Sequence, residues 1–146
     1  MTNEHKMVIG VVESCQLPDL GISQLNMRVD TGAKTSSLHV DEIEQFKRSG
    51  KPWVRFNIHP TVHKVDDVIR CEAPVKDIRR IKSSNGIIDE RYVIETTLQL
   101  GQEQWLIDLS LSNRSEMTFL MLLGRKGMGK RVLVDPSKTF LIKDES

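Results

Sequence analysis

Residues 92–112 run YVIETTLQLGQEQWLIDLSLS, with apolar and polar side chains alternating on both sides of a glycine break. Period-two alternation sends successive side chains to opposite faces of an extended chain, whereas a helix would scatter them around its circumference. Two strands joined by a turn at Gly101 follow. The same period recurs in Leu25, Met27 and Val29, and in Val54, Phe56 and Ile58. A second hairpin is signalled by Ser83-Ser84-Asn85-Gly86 between residues 75–82 and 87–96, since Asn-Gly accepts the positive φ angles of a tight loop. The apolar run at residues 117–123 suits a strand covered on both faces, and residues 132–134 and 139–143 suggest short strands on either side of Asp135-Pro136. Only residues 41–48, DEIEQFKR, have a helical spacing, stopped by Ser49-Gly50 and Pro52. Short strands with so little helix predict an all-β closed barrel or sandwich.

A chain of 146 residues has the size of one domain, spanning 1–146, with room for a real core. Lysine and arginine total 21 against 20 acidic residues, so charge gives no reason to expect nucleic acid or an anionic membrane as partner. No apolar run could span a bilayer, and the opening MTNEHKMVIG lacks the apolar core of a signal peptide, so a cytoplasmic location is expected. Cys15 and Cys71 stand far apart without CxxC spacing, which predicts two free buried thiols.

The segment MRVDTGAKTSSLHV, residues 27–40, puts Asp30 at the end of an alternating strand and a hydroxyl-rich turn after it. Peptide hydrolysis without a covalent intermediate needs two carboxylates sharing a proton, one activating water and the other donating to the carbonyl oxygen. Asp-Thr-Gly suits such a turn: glycine permits close backbone approach, and the threonine hydroxyl is free to bridge. No second Asp-Thr-Gly or Asp-Ser-Gly follows, so a dyad requires a second copy of the chain and a two-fold axis through the site. Alanine at position 33 offers the carboxylates no hydroxyl, which predicts a working pH less acidic than that of pepsin.

The order of strand, Asp30-Thr31-Gly32-Ala33, hairpin, and late Leu122-Leu123-Gly124-Arg125 resembles the retropepsins. The wider set, adding Thr35, Ser36, Leu38, His39, Cys71, Ser83, Ser84, Gly86, Met121 and Leu133-Val134-Asp135-Pro136, resembles the bacterial retropepsin-like family that carries the label ATP-dependent zinc protease. Members of that family are associated with RimK-type glutamate ligases. The resemblance implies a closed, six-stranded-type acid-protease barrel with a flap hairpin and at most one short helix. It implies that Asp30 is the catalytic acid/base, that the Thr31 hydroxyl braces the paired turns, and that Gly32 allows their close approach. Ser83, Ser84, Asn85 and Gly86 would form the flap tip over the substrate, with Ala33, Lys34 and Arg125 beside it. Retropepsins commonly have an acidic residue where this chain has Lys34, so Arg125 needs another partner.

Three other motifs compete. Gly124-Arg125-Lys126-Gly127-Met128-Gly129-Lys130-Arg131 falls one residue short of a P-loop: Arg131 replaces the magnesium-binding hydroxyl, and β-branched residues replace the helix that should follow. No cofactor is expected. His59 and His63 lack the glutamate of HExxH and enclose Pro60; a metal site would have to recruit His39 and Cys71 from afar. His39 itself suits a structural hydrogen bond near the turn. The basic run of residues 76–82, KDIRRIK, suits an acidic or glutamate-rich peptide partner, although charged runs usually mark one solvated strand face. The sequence therefore points to a homodimeric aspartic endopeptidase acting on a peptide or protein substrate. The alternatives are a catalytically silent module clasping a peptide or acidic tail in the same groove, and a zinc-dependent peptidase.

Overall fold

The computed structural model describes residues 6–60, 67–82, 86–113 and 119–142. Twelve strands are present among them: β1 Met7–Ile9, β2 Val12–Leu17, β3 Ile22–Val29, β4 Ser36–His39, β5 Asp41–Arg48, β6 Lys51–Ile58, β7 Ile69–Pro74, β8 Asp77–Lys82, β9 Ile88–Leu100, β10 Glu103–Ser112, β11 Met121–Leu123 and β12 Val132–Val134. One helical turn, α1, covers Arg125–Met128, and a 3-10 turn covers Pro18–Leu20.

The main sheet runs β10-β4-β11-β3-β2-β9, and β9 pairs back onto β10, closing six strands into a barrel. Closure removes the open edges that such apolar strands would otherwise expose. Inside lie Met27, Leu38, Ile94, Leu98, Leu109, Leu111, Met121 and Leu123, the inward halves of the alternating patterns. β9 is long enough for two tasks: its second half builds the barrel with β10, and its first half leaves the barrel to pair with β8. β5, β6 and β7 form a separate antiparallel sheet, and β1 and β12 a parallel ribbon. Cys15 and Cys71 are both buried and free.

The expected helix at residues 41–48 is instead strand β5, paired with β6. Ser49 and Gly50, read from sequence as a helix stop, have φ of +53° and +76° and make a two-residue hairpin between Arg48 and Lys51. A bulge between Asp41 and Glu44, with Glu42 at φ +50°, breaks period two and leaves Ile43 and Phe46 three apart, which imitates a helix. The charges that suited a solvated helix face instead form a ladder across strands, with Glu72 meeting Arg48 at 2.8 Å and Arg55 at 2.7 Å. The Arg48 guanidinium stacks over Trp53.

Residues 139–142 are not the expected strand. Phe140 sits at φ +53°, and the segment bonds a carboxylate in place of a strand: Leu141 and Ile142 donate to Glu13 Oε2 and Oε1 at 2.9 and 3.0 Å. Of the apolar run 117–123, Met121–Leu123 is strand, Phe119 and Leu120 lie in a bend, and the first two residues lie outside the described residues. The glycine-rich corner after it contains the single turn α1, and the residues expected to replace a following helix form strand β12.

Candidate active site

Asp30 follows directly on β3, where the chain leaves the barrel wall. β11 lies against β3 in parallel, with Leu123 opposite Val29, and the Asp30 amide donates to the Leu123 carbonyl at 2.9 Å. The side chain then organises its own turn: Oδ1 accepts the Gly32 amide at 3.0 Å, and the Ala33 amide returns to the Asp30 carbonyl at 3.2 Å. This is the side-chain-to-backbone closure by which aspartate stabilises turns. Oδ2 takes no hydrogen bond among the described residues. Asp30 is half-buried, with Thr31 and Gly32 exposed beside it. A carboxylate fixed through one oxygen and open at the other can take up or deliver a proton at its open oxygen.

The second wall is Gly124 and α1. The Arg125 and Lys126 amides donate to the Ala33 and Lys34 carbonyls at 2.8 and 2.9 Å, and the Gly124 amide donates to the buried Ser36 Oγ at 3.0 Å. Gly124 is required here, since a Cβ would stand 2.7 Å from the Thr35 carbonyl carbon and 3.0 Å from the Ala33 oxygen. With these amides engaged, the near-P-loop has no cradle of open N–H groups for a phosphate. Arg125 finds its partner in the backbone: Nη1 donates to the Thr31 carbonyl at 2.9 Å, clamping the exposed arm of the turn from the far side. Lys34 is exposed, and Arg125 does not depend on an acid at that position.

The β8–β9 hairpin reaches the same place. Arg79 Nη1 on β8 donates to Thr35 Oγ1 at 3.2 Å. The last described pair is Lys82 with Ile88, and Gly86 has φ +84°, so the loop is longer than a two-residue turn. Ser83, Ser84 and Asn85 lie outside the described residues. At the hairpin root, Asp108 on β10 accepts from Lys76 at 2.7 Å and from Lys126 of α1 at 3.1 Å. The Lys76 hydrogen bond, aided by Lys126 and opposed by burial, holds the Asp108 carboxyl below its usual range. Asp108 thus ties the hairpin root to the helix behind the Asp30 turn. The sequence offers one signal for Asp108: its flanking apolar residues, Ile107 and Leu109, place it on a barrel strand. Ser36, one of the residues that carry the resemblance, uses its hydroxyl to accept the Gly124 amide.

The basic run that begins at Lys76 is largely paired. Lys76 also meets Glu95 at 3.2 Å, Arg79 meets Asp77 at 3.3 Å, and Arg80 meets Glu90 at 3.6 Å. Among the described residues, no group of three or more histidine, cysteine, aspartate or glutamate side chains could hold a metal ion. His59 Nε2 lies 2.9 Å from Asp41 Oδ2; Cys71 Sγ points to the Leu20 carbonyl at 3.4 Å; His63 lies outside the described residues. His39 sits at the end of β4 away from the turn, and burial, against the pull of Asp41 and with the push of His59, lowers its imidazole below the ordinary range.

A closed barrel in which a parallel strand and its glycine brace a single Asp-Thr-Gly turn near a hairpin defines a retropepsin-like protein. More narrowly, the chain belongs to the RimB-like family, described as retropepsin-like aspartic endopeptidase RimB, which it matches over residues 8–145. Two relatives carry the name probable alpha-L-glutamate ligase: one from Shewanella halifaxensis, 46% identical over 99% of this chain and 31% of its own length, and one from Desulfotalea psychrophila, 48% identical over 90% and 28%. The chain therefore spans about a third of the length of the curated relatives it matches. A crystal structure from Legionella pneumophila, of a protein of unknown function, superposes with a TM-score of 0.78 at 28% identity, covering 95% of this chain and all of that one. No helix among the described residues is long and apolar enough to cross a membrane.

Proposed function

We propose that this chain is an aspartic endopeptidase that works as a homodimer, with Asp30 from each copy meeting on the two-fold axis. The observation that carries this reading is the half-site itself: one Asp30 carboxylate, anchored by Gly32 and open at Oδ2, on a turn clamped by Arg125 and Gly124. In the dimer, the ionised Asp30 takes a proton from water as the oxygen attacks the peptide carbonyl, and its protonated partner donates to the carbonyl oxygen. The tetrahedral intermediate collapses as the C–N bond breaks and the amine takes a proton. Thr31 bridges the two turns through its hydroxyl, and the β8–β9 hairpin covers the peptide. Asp30→Asn should abolish cleavage while leaving the dimer intact by light scattering; wild-type protein that cuts nothing in a diverse peptide library would sink the reading.

The relatives named as glutamate ligases favour a second reading of the same groove: a module that holds an acidic or glutamate-rich tail without cutting it. Under both readings an acidic peptide is the proposed partner. Binding without cleavage by wild-type protein would select the second.

A further inference from the structure

Asp108 faces a like charge. It stands directly opposite Glu95 in the antiparallel β9–β10 register, so two carboxylates share one face of the barrel wall. Carboxylates in that relation repel, and the Asp108 side chain is only 9% exposed, with little water to screen it. Two lysines offset the repulsion, and each comes from a different element. Lys76, the residue before β8, bridges the pair, its Nζ 2.7 Å from Asp108 Oδ1 and 3.2 Å from Glu95 Oε2. Lys126 of α1 takes the other oxygen, Oδ2, at 3.1 Å. Two positive and two negative charges therefore balance only while the hairpin root and α1 are both docked.

Each lysine is also held by its backbone. The Lys76 amide donates to the Val93 carbonyl at 2.8 Å, and Val93 is where β9 passes from barrel to hairpin, pairing with Ser110 of β10 and Asp77 of β8. The Lys126 amide donates to the Lys34 carbonyl at 2.9 Å, on the arm leaving the Asp30 turn. We propose that Asp108 is a positioning residue: one anchor, with an oxygen for each side, that sets the β8–β9 hairpin and the Asp30 turn relative to each other. The two lysines repel across it, so a root that lifts away leaves Lys126 held more tightly, and the turn stays in place while the hairpin opens for a peptide. Asp108 touches no reacting atom in this scheme and acts through the lysines alone. Its service to cleavage rests on the peptidase reading; the anchoring does not.

Hydrogen exchange followed by NMR tests the anchor without any cleavage. Asp108→Asn should speed exchange about three- to ten-fold at the Lys76 amide and at the Arg125 and Lys126 amides together, and leave the barrel amides of residues 103–107 unchanged. Lys126→Met removes the like charge beside Lys76, so it should speed exchange at the Arg125 amide and leave the Lys76 amide equal or slower. A merely structural role would speed all of these sites alike. On a fluorogenic hexaglutamate peptide, Asp108→Asn should lower kcat/KM about ten-fold, Lys76→Met should act mainly on KM, and Lys126→Met mainly on kcat. A uniform rise in exchange, or no change on either side of Asp108, overturns the anchor. The expected exchange pattern with undiminished cleavage overturns the positioning role. The same pattern alongside a wild-type protein that cleaves nothing keeps the anchor and refutes the peptidase.

Discussion

Gly124→Ala tests whether the corner behind the Asp30 turn is as closely packed as its geometry requires. Gly124 has φ −89°, a conformation alanine adopts freely, so any cost comes from contact alone. The added methyl would lie 2.7 Å from the Thr35 carbonyl carbon, 2.9 Å from its oxygen and 3.0 Å from the Ala33 oxygen, where ordinary contact begins at 3.4 Å. All three are backbone atoms, so no rotamer change relieves them. Residues 33–35 must retreat by roughly half an ångström or more, straining the Arg125 amide bond to Ala33 and the Gly124 amide bond to Ser36. Overpacking of this kind costs about 1–3 kcal/mol, and each kcal/mol is worth about 2–4 °C of midpoint in a chain of this size. Differential scanning calorimetry should show a midpoint lowered by about 2–12 °C. Under the proposed peptidase reading, activity should fall further than stability, because a displacement of the carboxylate approaching about an ångström costs on the order of a hundred-fold. A Gly124→Ala protein with an unchanged midpoint and full cleavage would refute the close packing of β11 behind Asp30.

Glu13→Ala tests a second anchor: Glu13 is fully buried and accepts the amides of Gly10, Leu141 and Ile142, so its loss should cost about 3 kcal/mol or more in urea denaturation and speed hydrogen exchange at Leu141 and Ile142. Burial pushes the Cys15 thiol up to about 12 and Cys71 to about 11. Neither should react with a thiol reagent at pH 8 until the chain unfolds. Because both values are raised above the unfolded thiol, their contribution to stability is complete below about pH 9 and drains away as pH climbs through 11 and 12. Denaturation midpoints measured from pH 8 to 11 should fall accordingly, and less so in a Cys15→Ala protein.

What could be read from sequence was whatever depends on neighbours along the chain. Alternation in residues 92–112 forced two strands, and that hairpin is present as β9 and β10. Asp-Thr-Gly after an apolar strand gave the turn, since Asp30 and Gly32 meet within three residues. The failures share one cause. Residues 41–48 look helical only while their partners are unknown; a bulge sets the spacing, and Glu72 and Trp53 supply the contacts that make the segment a strand. Residues 139–142 have strand composition but are held by a glutamate more than a hundred positions earlier. Arg125 appeared to lack a partner because its partner is a carbonyl, and every residue has one of those.

The sequence by itself determined the alternating strands and the Asp30-Thr31-Gly32 turn that ends one of them. Tertiary structure decided what surrounds that turn: β11 beside β3, Arg125 on Thr31, Asp108 between two lysines, and Arg79 against Thr35 with Arg91 opposite it. The physical reason is range. Periodicity and turn chemistry act through bonded neighbours, whereas closing a barrel brings together side chains whose attraction exists only after the loops between them have been closed.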